Sequence, residues 1–103
     1  MASVSGEGEG GGAEELWFME RRHILVLLYL YREGMAIKSE LRSLLKGDSI
    51  YVERVIMDLE ERGLVREKQA GRRTRIFTLT DKGREVAELL DKLARKMAGE
   101  ASQ

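Results

Sequence analysis

The 103-residue chain contains no cysteine, no proline and no asparagine, and its one histidine is His23. Without cysteine it can form neither disulfides nor thiolate metal sites, and it has no cysteine nucleophile. A lone histidine among apolar residues is usually a hydrogen-bonded structural residue, and nothing nearby in the sequence pairs with it, so we assign His23 no functional role. These residue types supply no metal-ligand cluster, nucleophile–base pair or phosphate cradle. We therefore expect no catalytic residue, no metal site, no cofactor and no enzyme.

Long hydrophobic runs are also missing. The longest apolar stretch, residues 24–31, has eight residues, which is too short to cross a bilayer. The chain begins with no secretory signal, so we expect a cytoplasmic protein with no membrane partner. Scarce amide side chains and 35% charged residues are typical of proteins from hyperthermophiles.

The length predicts one small domain with a shallow core, for which a dimer interface would add buried surface. Residues 1–12 are almost entirely glycine, serine and glutamate, and such a composition predicts a disordered tail. Its alternating glycines (Gly6, Gly8, Gly10) follow no strand and lie among carboxylates, so they do not predict a phosphate loop. We expect the folded domain to span residues 13–98 and residues 99–103 to be a disordered C-terminus.

The formal net charge is zero, but the charges are unevenly distributed. Residues 1–20 carry five acids and no base, whereas residues 64–84 carry seven bases against Glu67 and Asp81. A basic segment of this kind in a neutral chain is more typical of a nucleic-acid-binding surface than of a merely solvated one.

The hydrophobic pattern of residues 49–80 predicts a helix followed by a β-hairpin. Apolar residues recur at i, i+3, i+4 and i+7 in residues 49–62, and Gly63 ends that helix. The period then changes to two, with Phe77 and Leu79 on the same side of a strand. The glycine-containing loop 69–73 connects the hairpin arms 64–68 and 74–79. The helical face is formed by Val52, Val55, Ile56 and Leu59.

Other elements follow from capping residues and periodicity. Residues 14–33 predict one helix or two segments that meet near residues 21–22, and residues 35–37 predict a short third strand. Ser39 is the best N-cap for the next helix, Asp48 or Ser49 caps residues 49–62, and Thr80 caps a C-terminal helix over 81–98.

The two outer helices carry more apolar surface than a small domain can cover. The first helix is apolar on most sides, which fits either the central helix of a monomer or contact with a second subunit. The last helix has an apolar stripe three turns long, with the pair Asp91–Arg95 on its solvated side. We favour a homodimer, with helix 81–98 as the dimerisation helix. The predicted interface residues are Trp17, Phe18, Leu89, Leu90, Leu93 and Met97.

Two segments carry a family resemblance. The sequences DSIYVERVIMDLEERGLVR (48–66) and RTRIFTLTDKGRE (73–85) resemble the winged helix-turn-helix transcription regulators of the MarR and PadR groups and their archaeal relatives. The resemblance implies a mainly α fold with a small β-hairpin (α+β), extended by extra N- and C-terminal helices. It implies that recognition helix 49–62 enters the major groove and that wing 69–75 contacts phosphates or the minor groove.

The expected function is that of a sequence-specific regulator binding double-stranded DNA as a homodimer. The alternative is a winged-helix protein–protein interaction module, in which the outer helices bind a different protein. One departure from the family is the net charge of −2 on residues 49–62, which lowers the affinity expected for DNA. The sequence does not indicate an operator or a small-molecule effector. The predicted DNA-binding residues are Ser49, Ile50, Tyr51, Arg54, Lys68, Arg72, Arg73 and Arg75.

Overall fold

The structure, a computed structural model, describes residues 9–99, with side chains described from residue 12. It is mainly helical with one small sheet, which confirms the α+β class. The elements in chain order are α1 (Glu9–Leu16), α2 (Arg21–Glu33), β1 (Ala36–Ile37), α3 (Lys38–Leu45), α4 (Ser49–Glu61), β2 (Val65–Ala70), β3 (Thr74–Leu79) and α5 (Asp81–Ala98).

The ends of the chain only partly overlap the predicted tails. Residues 1–8 of the tail predicted over 1–12 lie outside the described residues, and α1 begins at Glu9, inside that range. At the other end, Gly99 is the C-cap of α5, and the rest of the segment predicted over 99–103 lies outside the described residues.

The sheet is antiparallel with the strand order β1-β3-β2. The predicted short strand is present as β1, where Ala36 lies opposite Phe77. In the hairpin, Gln69 and Ala70 are paired with Arg75 and Thr74. The turn is therefore shorter than the predicted loop, and it contains Gly71 with φ 78°, a left-handed conformation that suits glycine. As a result, the wing is a paired ribbon almost to its tip.

The core lies between the helices and one face of the sheet. The four residues predicted to form the buried face of α4 are all fully buried, and Phe77 is buried beneath them. Helix α2 crosses the centre and contacts α3, α4, α5 and β3. None of its large apolar residues is among the strongly exposed ones in the described chain. α2 is thus the central helix of one chain, and it needs no second subunit to cover it.

His23 has partners that its sequence neighbours did not reveal. The backbone N–H of Glu20 donates to His23 Nδ1 (3.0 Å), and His23 Nε2 lies 2.9 Å from Asp58 Oδ2 on α4. The side chain is only 1% exposed. The histidine is therefore a hydrogen-bonded structural residue that ties the beginning of α2 to the recognition helix. Its partner Asp58 lies 35 positions along the chain, so the neighbouring sequence did not reveal it.

Helix caps follow the predictions with one exception. Asp48 accepts from the Tyr51 N–H (2.8 Å) and Thr80 from the Gly83 N–H (2.9 Å). Ser39 does not cap α3, which begins one residue earlier, at Lys38. There the Ile37 N–H donates to Glu40 Oε1 (2.9 Å), because a glutamate three residues into a helix can reach back to the N-cap backbone.

The connection between the wing and α5 consists of a single residue, Thr80. The Thr80 N–H donates to the Leu64 carbonyl (3.0 Å), and its hydroxyl donates to the Gly63 carbonyl (2.6 Å). A Cβ placed on Gly83 would lie 1.9 Å from the Leu64 carbonyl oxygen. Only glycine therefore allows the first turn of α5 to pack on the beginning of β2.

Helix α5 packs on its own domain with small residues, and Leu89, Leu93 and Met97 of the predicted interface stay exposed. The buried positions are Gly83, Ala87 and Asp91, since small residues let α5 approach α2 closely. Asp91 is 7% exposed and lies 3.1 Å from Arg95 and 3.6 Å from Arg32. The prediction that Asp91 lies on the solvated side is therefore wrong. In the described chain no helix is both long and apolar enough to cross a membrane.

Candidate nucleic-acid interface

The outer face of α4 brings together the residues predicted for the recognition helix. The buried side of the helix is fully used by the core, and Ser49, Ile50, Tyr51 and Arg54 are all exposed on the N-terminal half of the other side. Ile50 is 68% exposed, and Met57, two turns further along, is 51% exposed. The helix therefore presents a continuous exposed surface that begins at its N-terminus, the end with which such helices usually contact bases.

The wing tip carries the predicted cations Lys68, Arg72 and Arg73. All three are exposed, and none forms an ion pair with another residue between 12 and 99. The Gln69 side-chain amide donates to the Arg72 carbonyl (2.9 Å), which braces the turn without using a charge. These three charges are therefore available to an external anion.

The sequence predicted that Arg75 binds DNA together with the other wing cations. In the structure, its side chain points away from them and is paired within the domain. Its Nε and one Nη donate to the Glu67 carboxylate (2.7 and 3.0 Å), and the other Nη donates to Glu53 Oε2 on α4 (2.5 Å). Its guanidinium carbon also lies 5.0 Å from the centre of the Phe77 ring. The physical reason is strand alternation, because Arg75 is in phase with Phe77 and Leu79 and so points to the helix side of the sheet.

Lys38 completes this cluster with a 2.6 Å contact to Glu53. We call Lys38, Glu53, Glu67 and Arg75 the wing clamp, because they join both hairpin strands to α3 and α4. Hydrogen bonds from Arg75 and then Lys38 lower the pKa of Glu53 to about 2. The hydrogen bond from Arg75 also lowers the pKa of Glu67, and the two carboxylates raise the pKa of Arg75. Glu53, one of the acids that gave α4 its negative charge, is thus compensated by cations from outside the helix.

Sequence reasoning missed cations on either side of α4. Arg22, at the start of α2, lies over the Tyr51 ring (5.8 Å). It lines a shallow cleft of about 400 Å³ together with Tyr51, Arg54 and Met57. The sequence indicated residues 21–22 only as a helix junction. Arg22 lies beside Tyr51 because α2 packs against α4.

A second group of cations lies at the turn between α3 and α4. Arg42 and Lys46 are exposed one helical turn apart, and they line a groove with Ser39 and Ser43. The i,i+4 spacing of both the bases and the serines was a signal available in the sequence. Arg42 and Lys46 thus extend the positive surface beyond the predicted residues, whereas the charge of Arg22 is paired with Glu20 (2.6 Å).

The residues predicted for a dimer interface divide into two groups. Trp17 is 74% exposed, and Leu89, Leu93 and Met97 are exposed along one side of α5. Leu90 is partly buried against the core. Phe18 is occupied within its own chain, because Arg62 lies 4.0 Å from its ring centre and His23 contacts its edge. The structure therefore removes Phe18 from the apolar surface that is open to a partner.

A helix-turn-helix unit formed by α3 and α4, followed by an antiparallel wing, defines the winged-helix class. A family model for the winged helix DNA-binding domain matches residues 19–83. The chain therefore belongs to the winged helix DNA-binding domain family, and the resemblance to winged helix-turn-helix regulators is confirmed.

Several solved structures share this fold. A mutant of ZitR from Lactococcus lactis in its apo form superposes with a TM-score of 0.74 at 18% identity, covering 91% of this chain and 72% of ZitR. The MarR family transcriptional regulator SPO1453 from Silicibacter pomeroyi DSS-3 gives 0.72 at 24% identity, covering 90% of this chain and 67% of that chain.

A third structure, AF1382 from Archaeoglobus fulgidus, gives a TM-score of 0.69 at 24% identity, covering 81% of this chain and 96% of AF1382. A comparison with curated protein sequences finds no match. At these identities, the likeness to the solved structures establishes the fold.

Proposed function

We propose that the protein is a sequence-specific transcription regulator that binds double-stranded DNA as a homodimer and is not an enzyme. The observation that carries this proposal is the wing clamp, which fixes a cationic wing tip relative to the exposed face of α4. A fixed pair of this kind suits a duplex, where a helix occupies the major groove and a wing contacts the adjacent backbone. A cytoplasmic location is part of the same proposal.

The wing supplies the phosphate contacts in this proposal. Lys68, Arg72 and Arg73 are exposed and make no ion pair among the described residues. Neutralising phosphates with such side chains releases condensed counterions and makes the affinity dependent on salt. Arg75 is assigned to positioning instead, because its donors are already used by Glu53 and Glu67. Arg42 and Lys46 add backbone contacts from the first helix of the helix-turn-helix unit.

The homodimer rests on the exposed apolar side of α5. Leu89, Leu93 and Met97 are spaced four residues apart and lie outside the core of their own chain. Such a row is a natural seam for the same helix of a second copy. Two wings and two recognition helices would then read two half-sites. The same surface, with Trp17, is what the alternative interaction module would use to bind a different protein.

The proposal is tested by selecting bound sequences from random duplex DNA and then measuring the affinity for the selected duplex over a range of salt concentrations. For Arg73→Ala we expect weaker binding to all sequences and unchanged folding. The slope of log affinity against log salt should become shallower by about 0.9 for each phosphate that the variant no longer neutralises, and by about twice that in a dimer.

Two variants serve as comparisons. Lys96→Ala removes one exposed lysine from the last turn of α5, outside the basic segment 64–84. Lys96 makes no ion pair with a described residue, so this variant should leave both affinity and slope unchanged. Arg75→Ala should weaken DNA binding and also lower the free energy of unfolding, because it breaks the wing clamp. If Arg73→Ala behaves like Lys96→Ala, the wing does not bind phosphate. If no duplex is selected at all, the interaction module replaces the regulator as the proposed function.

A further inference from the structure

The exposed face of α4 combines apolar side chains with a single cation. Ile50, Arg54 and Met57 follow one another at i, i+4 and i+7, and each is exposed. The opposite side of the helix already supplies its full share of the core. Ile50 and Met57 are not part of the buried core in the described part of the chain, and the exposure of these apolar side chains needs another explanation.

The major groove offers one apolar group, the C5-methyl of thymine. Isoleucine has no hydrogen-bonding atom in its side chain, and the methionine thioether is a weak acceptor. Neither side chain can recognise the donors and acceptors on the other base edges, but both can cover a methyl group. Arginine, in contrast, matches the O6 and N7 acceptors of guanine with two donors.

The spacing of the three residues fits successive base pairs. At 1.5 Å per residue, Ile50 and Met57 are about 10 Å apart along the helix axis. This is roughly three base-pair steps of 3.4 Å, and Arg54 lies between them. Glu61 is one turn beyond Met57, farthest from the N-terminus that enters the groove first. Asp58, beside Met57, is already paired with His23.

We propose that α4 recognises a half-site in which thymine methyl groups contact Ile50 and Met57, with a guanine bound by Arg54 between them. This inference rests on the proposed function and specifies its base chemistry. DNA is favoured over an apolar protein partner because Arg54, which forms no ion pair among the described residues, lines the same cleft as Met57. Of the acids in that cleft, Asp58 is paired with His23 and Glu61 lies at its C-terminal end. A free cation beside an apolar side chain matches a groove that is bordered by phosphates and contains thymine methyl groups.

The test uses the selected duplex, with each thymine replaced in turn by deoxyuridine, which removes only the methyl group. For the wild type, we expect the affinity to fall by about fourfold at the thymine that contacts Ile50, the value of one buried methyl group. Ile50→Ala should bind the unmodified duplex more weakly and show no further decrease at that one position. Met57→Ala should do the same at a second thymine, about three steps away.

A gain of affinity provides the complementary measurement. When the thymine that contacts Ile50 is replaced by cytosine, the wild type should lose affinity, and 5-methylcytosine at that position should restore part of it. Glu61→Gln, an exposed change on the same helix, should leave the whole deoxyuridine profile as in the wild type. Thermal unfolding followed by circular dichroism should be unchanged in Ile50→Ala, since the side chain lies outside the core.

The inference and the proposed function fail in different ways. If Ile50→Ala and Met57→Ala bind DNA and show the wild-type decrease at every deoxyuridine, the methyl assignment is overturned while the regulator stands. Unchanged affinity of both variants for the unmodified duplex would also overturn it, and would point to a protein partner for this face. If the wild type selects no duplex, the proposed function itself fails.

Discussion

Glu53 shows how the partners of one residue can change the effective charge of a helix. Counted on the sequence, it adds negative charge to a helix expected to approach phosphates. In the structure, Lys38 and Arg75 bind its carboxylate from two other elements. Charge-assisted hydrogen bonds of this kind are stronger than neutral ones, and Glu53 is less than one-third exposed, so solvent screens the pair only in part.

The wing clamp should make the free energy of unfolding fall at acidic pH. Because the pKa of Glu53 is lowered from 4.5 to about 2, its ion pairs stabilise the fold fully above pH 4.5. That contribution is lost as the pH falls towards 2, where the folded protein also takes up the proton. We expect the difference in unfolding free energy between the wild type and Glu53→Gln, measured by urea denaturation, to shrink over this range.

Glu85→Gln is the matched control, because Glu85 is exposed on α5 and forms no ion pair with a described residue. Its urea curve should follow that of the wild type throughout the titration. A difference between the wild type and Glu53→Gln that stays constant from pH 5 to about pH 2.5 would show that the Glu53 carboxylate does not hold the wing.

At the scale of the elements, the way α5 is joined to the sheet decides how the domain packs. Replacing a helical glycine by alanine normally stabilises a helix, by up to about 1 kcal/mol. At Gly83 we expect the opposite, because the new Cβ would collide with the Leu64 carbonyl oxygen. Gly83→Ala should lower the unfolding free energy by about 2–3 kcal/mol, as overpacking does elsewhere, and thermal or urea unfolding would measure this decrease.

Gly12→Ala is the companion variant, since nothing lies within 4 Å of a Cβ at that position in α1. It should be neutral or slightly stabilising. If Gly83→Ala were as harmless as Gly12→Ala, the close packing of α5 on Leu64, just before β2, would be refuted.

The elements that the sequence predicted well are those in which a local pattern and the tertiary fold agree. The stripe on α4 and the alternation of Phe77 and Leu79 each describe a face that the core does bury. The same alternation places Arg75 on the side of Phe77 and Leu79. The cluster of bases around the turn led to Arg75 being grouped with the wing cations instead. The helix and hairpin at the centre of the fold therefore followed from periodicity.

The features that escaped prediction depend on residues distant in the chain. His23 and Asp58 meet only because α2 crosses α4, and Arg22 reaches Tyr51 for the same reason. On α5, the large residues predicted a subunit interface, but the sequence did not show that Gly83 and Ala87 are the residues that pack within the domain. Small side chains allow two backbones to approach closely, and a hydrophobicity pattern does not predict where such an approach occurs.

At the scale of the whole molecule, the exposed side of α5 decides between the homodimer and other assemblies. Leu93 is exposed in the single chain, so Leu93→Glu should fold as the wild type does but fail to associate, because a dimer would bury an unpaired charge. Sedimentation equilibrium should show a dimer for the wild type and a monomer for this variant. Leu90 is less suitable for the test, since it packs partly against its own core.

Glu88→Gln changes an exposed residue on α5 that lies outside the row formed by Leu89, Leu93 and Met97, and it should leave the dimer intact. A wild-type protein that sediments as a monomer at micromolar concentration would rule out the homodimer, and the two-half-site geometry with it.

The single-residue link at Thr80 gives α5 the mechanics of a lever. The helix has 18 residues and is therefore about 27 Å long. The beginning of the helix is held firmly, because Thr80 is hydrogen-bonded to the segment before β2 and Gly83 packs tightly against Leu64. A tilt of about 5° at this joint displaces the far end by about 2 Å over that length. Because Thr80 alone lies between β3 and α5, a change in the direction of α5 would act directly on the end of β3.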